Sequence, residues 1–526
     1  MQTPKINRPH GGVRGANLSR SSLLFSGPFG RIFRALPPAD FGADDKTTLG
    51  NLEALGKVMI ADPDDAKDGP DAEESGIPSA YTYFGQFIDH DLTFDPASSL
   101  QKQNDPDALV DFRTPQFDLD NVYGRGPDDQ PYMYNDDGRT FVLGKPLTGA
   151  PEVNKGAKDL QRNASTPARA LIGDPRNDEN VIVSQLQGLW HRFHNKVATD
   201  NSTWPFPKVQ QHVRFHYQWI LLHDFLPTIV AKEVLEEVLP LDKNKKPTVD
   251  KSNLEFFHHK ETAFMPLEFS AAAYRFGHSM VRPGYRLNSG VKPVPIFKLD
   301  EPGKSTLDLR GFKAPQPNWA LDWRRFIDLA PLDYGTLVDN PDQNDPKNQN
   351  RLQLAYKIDT SLVNPLGVLP ASIAINPSVL AQRNLERGWR MRLPNGQDIA
   401  RAMGLVPLTD AEIKIGKFTG NKADILMTIN KAGDGHAFVE NCPLWTYVLA
   451  ETVESTVTVK TLEGDKPIKT RKLGPVGGRI VAETFVGLLL ADSSSYVNLD
   501  PLWEPPTLKK ERVFGLRELI RHALEG

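Results

Sequence analysis

Phe84-Gly-Gln-Phe-Ile-Asp-His-Asp91 sets a glutamine, two acids and a histidine inside an apolar run. The flanks Tyr81, Tyr83, Leu92 and Phe94 are apolar or aromatic as well. In a helix, Gln86 and His90 stand one turn apart on one face, with Asp89 and Asp91 to either side of it. A helix apolar almost all round is a buried helix, and ionisable groups inside it must be paired or neutralised. Histidine relays protons near neutral pH, and acids hold cations or cofactors. The alternative is a surface helix with a solvated acidic edge, which the aromatic flanks oppose.

Around this stretch the chain runs to 526 residues, with 39% hydrophobic and 24% charged residues and a formal net charge of −4. That suits a soluble globular protein of one large domain or several ordinary ones. No long basic block is present, so nucleic acid and anionic membrane are poor partners. Cys442 is the sole cysteine, which rules out an intrachain disulfide and a cysteine-based metal cluster. Met1–Arg20 lacks the apolar core of a signal peptide, and Phe485–Ala491 is too short an apolar run to span a bilayer.

Residues 1–75, rich in Gly, Pro, Asp and Arg, read as an extended N-terminal arm with a short helix near Asn51–Val58. Residues 76–526 read as one mainly α domain with very little β. Helical periods cover Ala80–Asp91, Pro175–Asp200, Gln211–Leu239, Ser270–Val281, Pro377–Arg387, Asp398–Met403 and Arg479–Ala491. Only Thr456–Thr461 alternates like a strand.

Three further clusters bear chemistry. In Gly173-Asp-Pro-Arg-Asn-Asp-Glu179, Asp174 suits an N-cap and Pro175 a first helical position, leaving Arg176 and Glu179 a turn apart. Its plain reading is an exposed ion pair. In Tyr274-Arg-Phe-Gly-His-Ser-Met-Val-Arg-Pro283, Gly277 leaves room beside His278, which is either a satisfied core histidine or an axial metal ligand. In Thr114-Pro-Gln-Phe-Asp-Leu-Asp-Asn-Val-Tyr-Gly124, an extended backbone would aim Asp118 and Asp120 to one side near Thr114. Such hard oxygen donors suit Ca²⁺, which takes ~6–8 oxygens, although an Asx turn explains them equally.

In this order and spacing the four clusters resemble the animal-type haem peroxidases of the peroxidase–cyclooxygenase superfamily. His191-Arg-Phe-His-Asn-Lys196, His223-Asp-Phe-Leu-Pro227, Asn384-Leu-Glu-Arg-Gly388 and Leu473-Gly-Pro-Val-Gly-Gly-Arg479 extend the resemblance over residues 80 to 495. It implies a mainly α fold holding haem b between a distal and a proximal helix. It implies His90 as the distal catalytic histidine with Gln86 beside it, Arg176 as the distal arginine and His278 as the iron ligand. Asn384 then accepts from the His278 ring, and Arg275 pairs with a haem propionate. Asp91, Thr114, Gln116 (by its carbonyl), Asp118 and Asp120 match a calcium loop. Asp89 and Glu179 match carboxylates that become esterified to the haem in mammalian members.

Asn180 stands where one mammalian member has a methionine linked to the haem, so that third link cannot form here. The resemblance therefore implies a less oxidising haem. Hydrogen peroxide would be the oxidant, and iodide, bromide, thiocyanate or small aromatic molecules the donors. Relatives are commonly exported, yet no leader is evident, so extracellular and cytoplasmic sites both stay open, as does monomer or dimer. A fatty-acid dioxygenase of the same superfamily is the nearest rival; its radical tyrosine precedes the proximal histidine by three residues, where Arg275 stands here. A non-catalytic calcium-stabilised scaffold is the rival from another class, and it would need none of His90, Arg176, His278 or Asn384. His191 and His194, one turn apart, read as structural rather than as a metal pair.

Overall fold

The computed structural model describes residues 29–93, 113–243, 246–259, 263–299, 307–336, 342–374, 376–420, 424, 426–506 and 513–525. Residues 1–28 of the expected arm, and Phe94, lie outside the described residues.

In chain order, the elements that frame the interior are helix α1 (Asp45–Val58), strand β1 (Glu74–Pro78) and helix α2 (Ala80–Leu92). Helices α3 (Val181–Asp200) and α4 (Phe206–Ile220) follow, then strand β2 (Leu354–Tyr356) and helices α5 (Leu380–Arg390) and α6 (Leu444–Ala450). Strands β3 (Val453–Thr461) and β4 (Gly464–Lys472) lead into helices α7 (Pro475–Ala491) and α8 (Leu516–Leu524). The fold is mainly α, as the periodicity predicts.

α2 and α3 form the centre. Phe87 stacks on Trp190 at 5.6 Å between ring centroids, and both are fully buried. Phe84 joins them, with Tyr217 and Phe225 edge-on. Such pairs add ~0.5–1.5 kcal/mol each beyond their buried area. This is why α2 tolerates His90 and Asp91 at 4% and 0% exposure: its other faces are anchored. Where α7 crosses α6, a Cβ on Gly477 would come within 2.4 Å of Val448, so only glycine permits the approach. The described part of the arm lies on this body, with Leu52 and Leu55 of α1 fully buried.

Several expected helices are broken. Pro175–Asp178 is a single 3₁₀ turn, and α3 starts anew where the extended Asn180 caps the Ile182 N–H at 2.8 Å. The long helix expected over Gln211–Leu239 begins at Phe206 behind Pro205, loosens to a π turn over Leu221–Phe225 and stops at Ile229. Pro227, which has no N–H to give, follows that π turn. The helix expected over Ser270–Val281 is two short pieces, Leu267–Ser270 and a 3₁₀ run Ala273–His278. α5 sits three residues later than its expected start at Pro377. The lone expected strand is one arm of an antiparallel hairpin in which Val453 faces Lys472 and Thr461 faces Gly464.

A buried ion triad ties the sheet edge to the segment after His278. Arg282 and Arg351 both bind Glu74, the latter at 2.6 and 2.7 Å, and all three are under 5% exposed. Among the described residues no helix is long and apolar enough to cross a membrane.

Candidate functional site

α2 and the 3₁₀ run Ala273–His278 face each other across a cavity of about 1100 Å³. Gln86, Asp89 and His90 line one wall; Tyr274, Arg275, Gly277 and His278 line the other, with Glu179 beside α2. The two histidines singled out in the sequence therefore share one slot.

Each histidine is oriented by an amide behind it. His90 Nδ1 lies 2.7 Å from Asn177 Oδ1. Asn177 Nδ2 donates to Gln187 Oε1 at 2.8 Å, so its oxygen is the end left for His90. His90 Nδ1–H must then donate, which leaves Nε2 to face the cavity. Glu179 Oε1 lies 3.5 Å from that Nε2, and Gln86 Nε2 donates to the same oxygen. On the other wall Asn384 Nδ2 lies 2.8 Å from His278 Nδ1, so the amide nitrogen, and not the expected accepting oxygen, faces the ring. Burial, with the neighbouring Arg275 cation, pushes His278 down to about 3. It is a neutral imidazole at physiological pH, the form that binds metal.

Arg176 is placed differently from expectation. Its guanidinium is not among the groups lining the cavity. It grips Asp174 through Nε and Nη2 (3.2 and 2.8 Å) and donates from Nη2 to the His90 carbonyl at 3.0 Å. Asp174 also accepts from Arg113 at 2.6 Å. Burial opposes its ionisation, but Arg113 and Arg176 outweigh burial and hold it well below the usual carboxylate range.

Arg275 is buried beside other arginines. Its Nε donates to the Ser270 carbonyl at 3.0 Å. Burial, then the like charge of Arg387 and Arg383, pushes it down to about 10 against the pull of Asp89. A carboxylate placed among these arginines would relieve that repulsion, and two propionates would fit the need.

Asp91, Asp118 and Asp120 bring carboxylate oxygens to within 4.8 Å of one another. The backbone is not extended as expected: Leu119 adopts a left-handed conformation (φ 58°), and a one-turn helix starts at Asp120. That bend aims the two acids at Asp91, whose Oδ2 accepts from the Leu119 N–H at 3.3 Å. Asp91 Oδ1 is buried without a hydrogen-bond partner. Burial and the two like charges push Asp91 well above its ordinary value, and burial pushes Asp120 up to about 7. Thr114 Oγ1 donates to Asp118 at 2.7 Å, and Gln116 lies in the same turn, its N–H on the Thr114 carbonyl. Mutually repelling carboxylates with an orphan oxygen fit a hard divalent cation.

His191 and His194 are held in the core, away from the cavity wall. His191 meets Gln187 at 3.0 Å, and His194 bridges the Tyr123 hydroxyl and the Arg139 carbonyl. Sequence reasoning missed Asn177 and Gln187, which fix the His90 tautomer, and the rim residues Arg169, Arg310, Phe312 and Lys313. Asn177 adjoins Arg176, so the contact with His90 was one residue from being read. The rim residues carry no local pattern.

A family model described as animal haem peroxidase matches residues 98–299, a stretch that holds Arg176, Glu179, Arg275 and His278. Human thyroid peroxidase is 29% identical over 298 residues, 53% of this chain and 27% of that protein. Peroxidasin of Drosophila melanogaster is 25% identical over 356 residues, 65% of this chain and 19% of that protein. The chain thus spans a fifth to a quarter of the length of these relatives. Among solved structures, peroxidase A from Dictyostelium discoideum superposes with a TM-score of 0.56 at 15% identity, covering 95% and 93% of the two chains. Oryza sativa fatty acid alpha-dioxygenase gives 0.52 at 12% identity over 95% and 79%. At such identities the structural likeness speaks to the fold.

Proposed function

We propose that the chain is a haem-dependent peroxidase of the peroxidase–cyclooxygenase superfamily. It would reduce hydrogen peroxide while oxidising iodide, bromide, thiocyanate or small aromatic donors. One observation carries the reading: a single cavity walled by two histidines, each with its Nδ1 held by an asparagine amide and its Nε2 left for the cavity.

The residues fit haem b. His278 would hold the iron through Nε2, and with its carbonyl end toward the ring Asn384 would accept from Nδ1–H and strengthen the ligand. Arg275, with Arg387, would meet the propionates, and Asp89 and Glu179 lie on the cavity wall where ester links would form. Bound haem supplies the iron on which peroxide is reduced and the oxidising equivalents are stored.

The remaining chemistry belongs to side chains. His90 Nε2 would take a proton from one peroxide oxygen and return it to the other, which leaves as water. Gln86 steadies the bound peroxide and its water. Arg176 adds a fixed positive charge behind His90 that favours the negative charge growing on the departing oxygen. Over one turnover peroxide takes two electrons and two protons, giving two waters when two aromatic donors each supply one electron and one proton. A Ca²⁺ ion on Asp91, Thr114, Gln116, Asp118 and Asp120 would fix the end of α2 and so the neighbouring His90.

The test is stopped-flow mixing of haem-loaded protein with peroxide. His90→Ala should slow the Soret change by ~100-fold or more; wild-type speed would remove His90 from the mechanism.

Tyr274 supports a second reading. Its hydroxyl is buried on the cavity wall without a partner, its ring stacked on Phe269 at 4.6 Å. The radical tyrosine of a fatty-acid dioxygenase stands one place nearer the proximal histidine, where this chain has Arg275; oxygen uptake with linoleate, abolished by Tyr274→Phe, would establish the second reading despite that offset.

A further inference from the structure

The cavity wall carries charge of both signs. Asp89 and, beside His90, Glu179 line it as acids. Arg169, Arg310 and Lys313 line it as cations, on a rim shared with the half-exposed Phe312 and the exposed Ile373. The rim is one connected structure. Arg169 Nη1 donates to the Phe312 carbonyl at 2.9 Å and its guanidinium lies 5.8 Å from the Phe312 ring centroid. Arg310 donates to Ser372 Oγ at 2.8 Å, closing the edge toward Ile373.

The fold holds this rim under constraint. Phe312 has a left-handed backbone (φ 53°), a strained conformation for a non-glycine residue. It is kept there because Gly311 N–H bonds the Glu179 carbonyl at 2.9 Å and Phe312 N–H bonds the Asp178 carbonyl at 2.5 Å. A Cβ on Gly311 would fall 1.8 Å from the Asp178 carbonyl oxygen, so glycine is required. The loop is thus clamped to the segment carrying Glu179, one side chain away from His90. Of the acids that face the rim, Asp308 is neutralised by Arg310 at 2.8 Å, and Glu179 points inward to Gln86 and His90.

We propose that this rim is a docking subsite for an aromatic carboxylate, a donor with an oxidisable phenol at one end and a carboxylate at the other. Arg169 offers a planar fork that matches a carboxylate, and Lys313 adds a second charge. Phe312 and Ile373 take the ring, as exposed apolar groups at a cavity mouth do. With the carboxylate held by these cations, the phenol extends into the cavity toward His90. The inference deepens the peroxidase reading and rests on it for turnover, but binding alone can be tested without it.

The probes are 3-(4-hydroxyphenyl)propionate and 3-(4-hydroxyphenyl)propionamide, which share a phenol and differ in charge. Calorimetric titration of the haem-loaded protein should show the acid binding about tenfold or more tighter than the amide at low salt. In Arg169→Gln/Lys313→Gln that ratio should shrink below about threefold, and Arg169→Lys should restore part of it. Haem content is measured on every variant. Equal binding of acid and amide to the wild type would overturn the proposal. So would an unchanged ratio in the double variant, or loss of haem rather than of acid binding, which would make the cations cofactor contacts. Absence of peroxide turnover with both probes, alongside the expected binding ratio, would sink the peroxidase reading and leave the subsite standing.

Discussion

Replacing Asn177 by leucine isolates what tautomer control contributes to peroxide chemistry. Asn177 is fully buried, accepts from His90 Nδ1–H at 2.7 Å and donates to Gln187 at 2.8 Å. Leucine matches its size and removes both bonds, leaving His90 Nδ1 and Gln187 Oε1 without partners. Each orphaned buried group costs ~1–3 kcal/mol, so the protein should lose ~2–6 kcal/mol of stability to urea. The ring would also be free to rotate or change tautomer, which takes Nε2 away from the peroxide. If orientation alone is worth ~1–2 kcal/mol in the transition state, the rate falls ~5–30-fold, at ~1.4 kcal/mol per tenfold. The assay is the bimolecular rate of the Soret change on mixing with peroxide, at equal haem loading. Asn177→Asp keeps an acceptor for Nδ1–H and should lie between wild type and Asn177→Leu. A leucine variant that holds haem and reacts within twofold of the wild-type rate would refute the reasoning.

Other expectations follow from the same contacts. Glu74→Leu leaves Arg282 and Arg351 buried without their shared anion, and should lower stability by ~3–5 kcal/mol in urea melts; a loss under 1 kcal/mol would show that solvent enters the site. Burial pushes His212 down to about 4 and His216 and His223 down to about 3, from the usual 6.5. The unfolded chain then binds more protons than the fold below pH 6.5, so stability intact above that pH drains away as pH falls toward 3. The slope should be of order 1 kcal/mol per pH unit for each histidine, and a flat urea midpoint between pH 7 and 4.5 would contradict it. Exhaustive chelation should lower Tm by several degrees, and Ca²⁺ should restore it in the wild type but not in Asp118→Ala/Asp120→Ala. Acid–acetone should extract haem from Asp89→Asn/Glu179→Gln as free porphyrin; extraction of equal ease from the wild type would exclude ester links.

Much of this was legible along the chain where chemistry and local structure coincide. The apolar flanks of Gln86–Asp91 announce a buried helix, and α2 spans it to within a residue. The breaks at Asn180 and around Val230 were not legible, because the periodicity on either side continues in phase while capping and Pro227 decide the backbone. The strand Gly464–Lys472 was hidden by its charges: only one face is covered, and its Lys-rich edge reads as loop. Arg176 was read for its residue type and spacing, but whether its guanidinium enters the cavity depends on Asp174 and Arg113, which converge from separate segments. The rim depends on contacts between residues more than a hundred positions apart, such as Arg169 with Phe312, and no local pattern reports those.

The central claim is that His278 holds an iron porphyrin across the cavity from His90. It is tested most directly by titrating the purified protein with ferric haem and recording absorption and low-temperature electron paramagnetic resonance spectra. The account predicts one equivalent bound, with a Soret band and a high-spin ferric signal typical of histidine ligation, altered in His278→Ala and restored by imidazole. A protein that takes up no haem, or whose spectra are the same with and without the residue-278 imidazole, would contradict it.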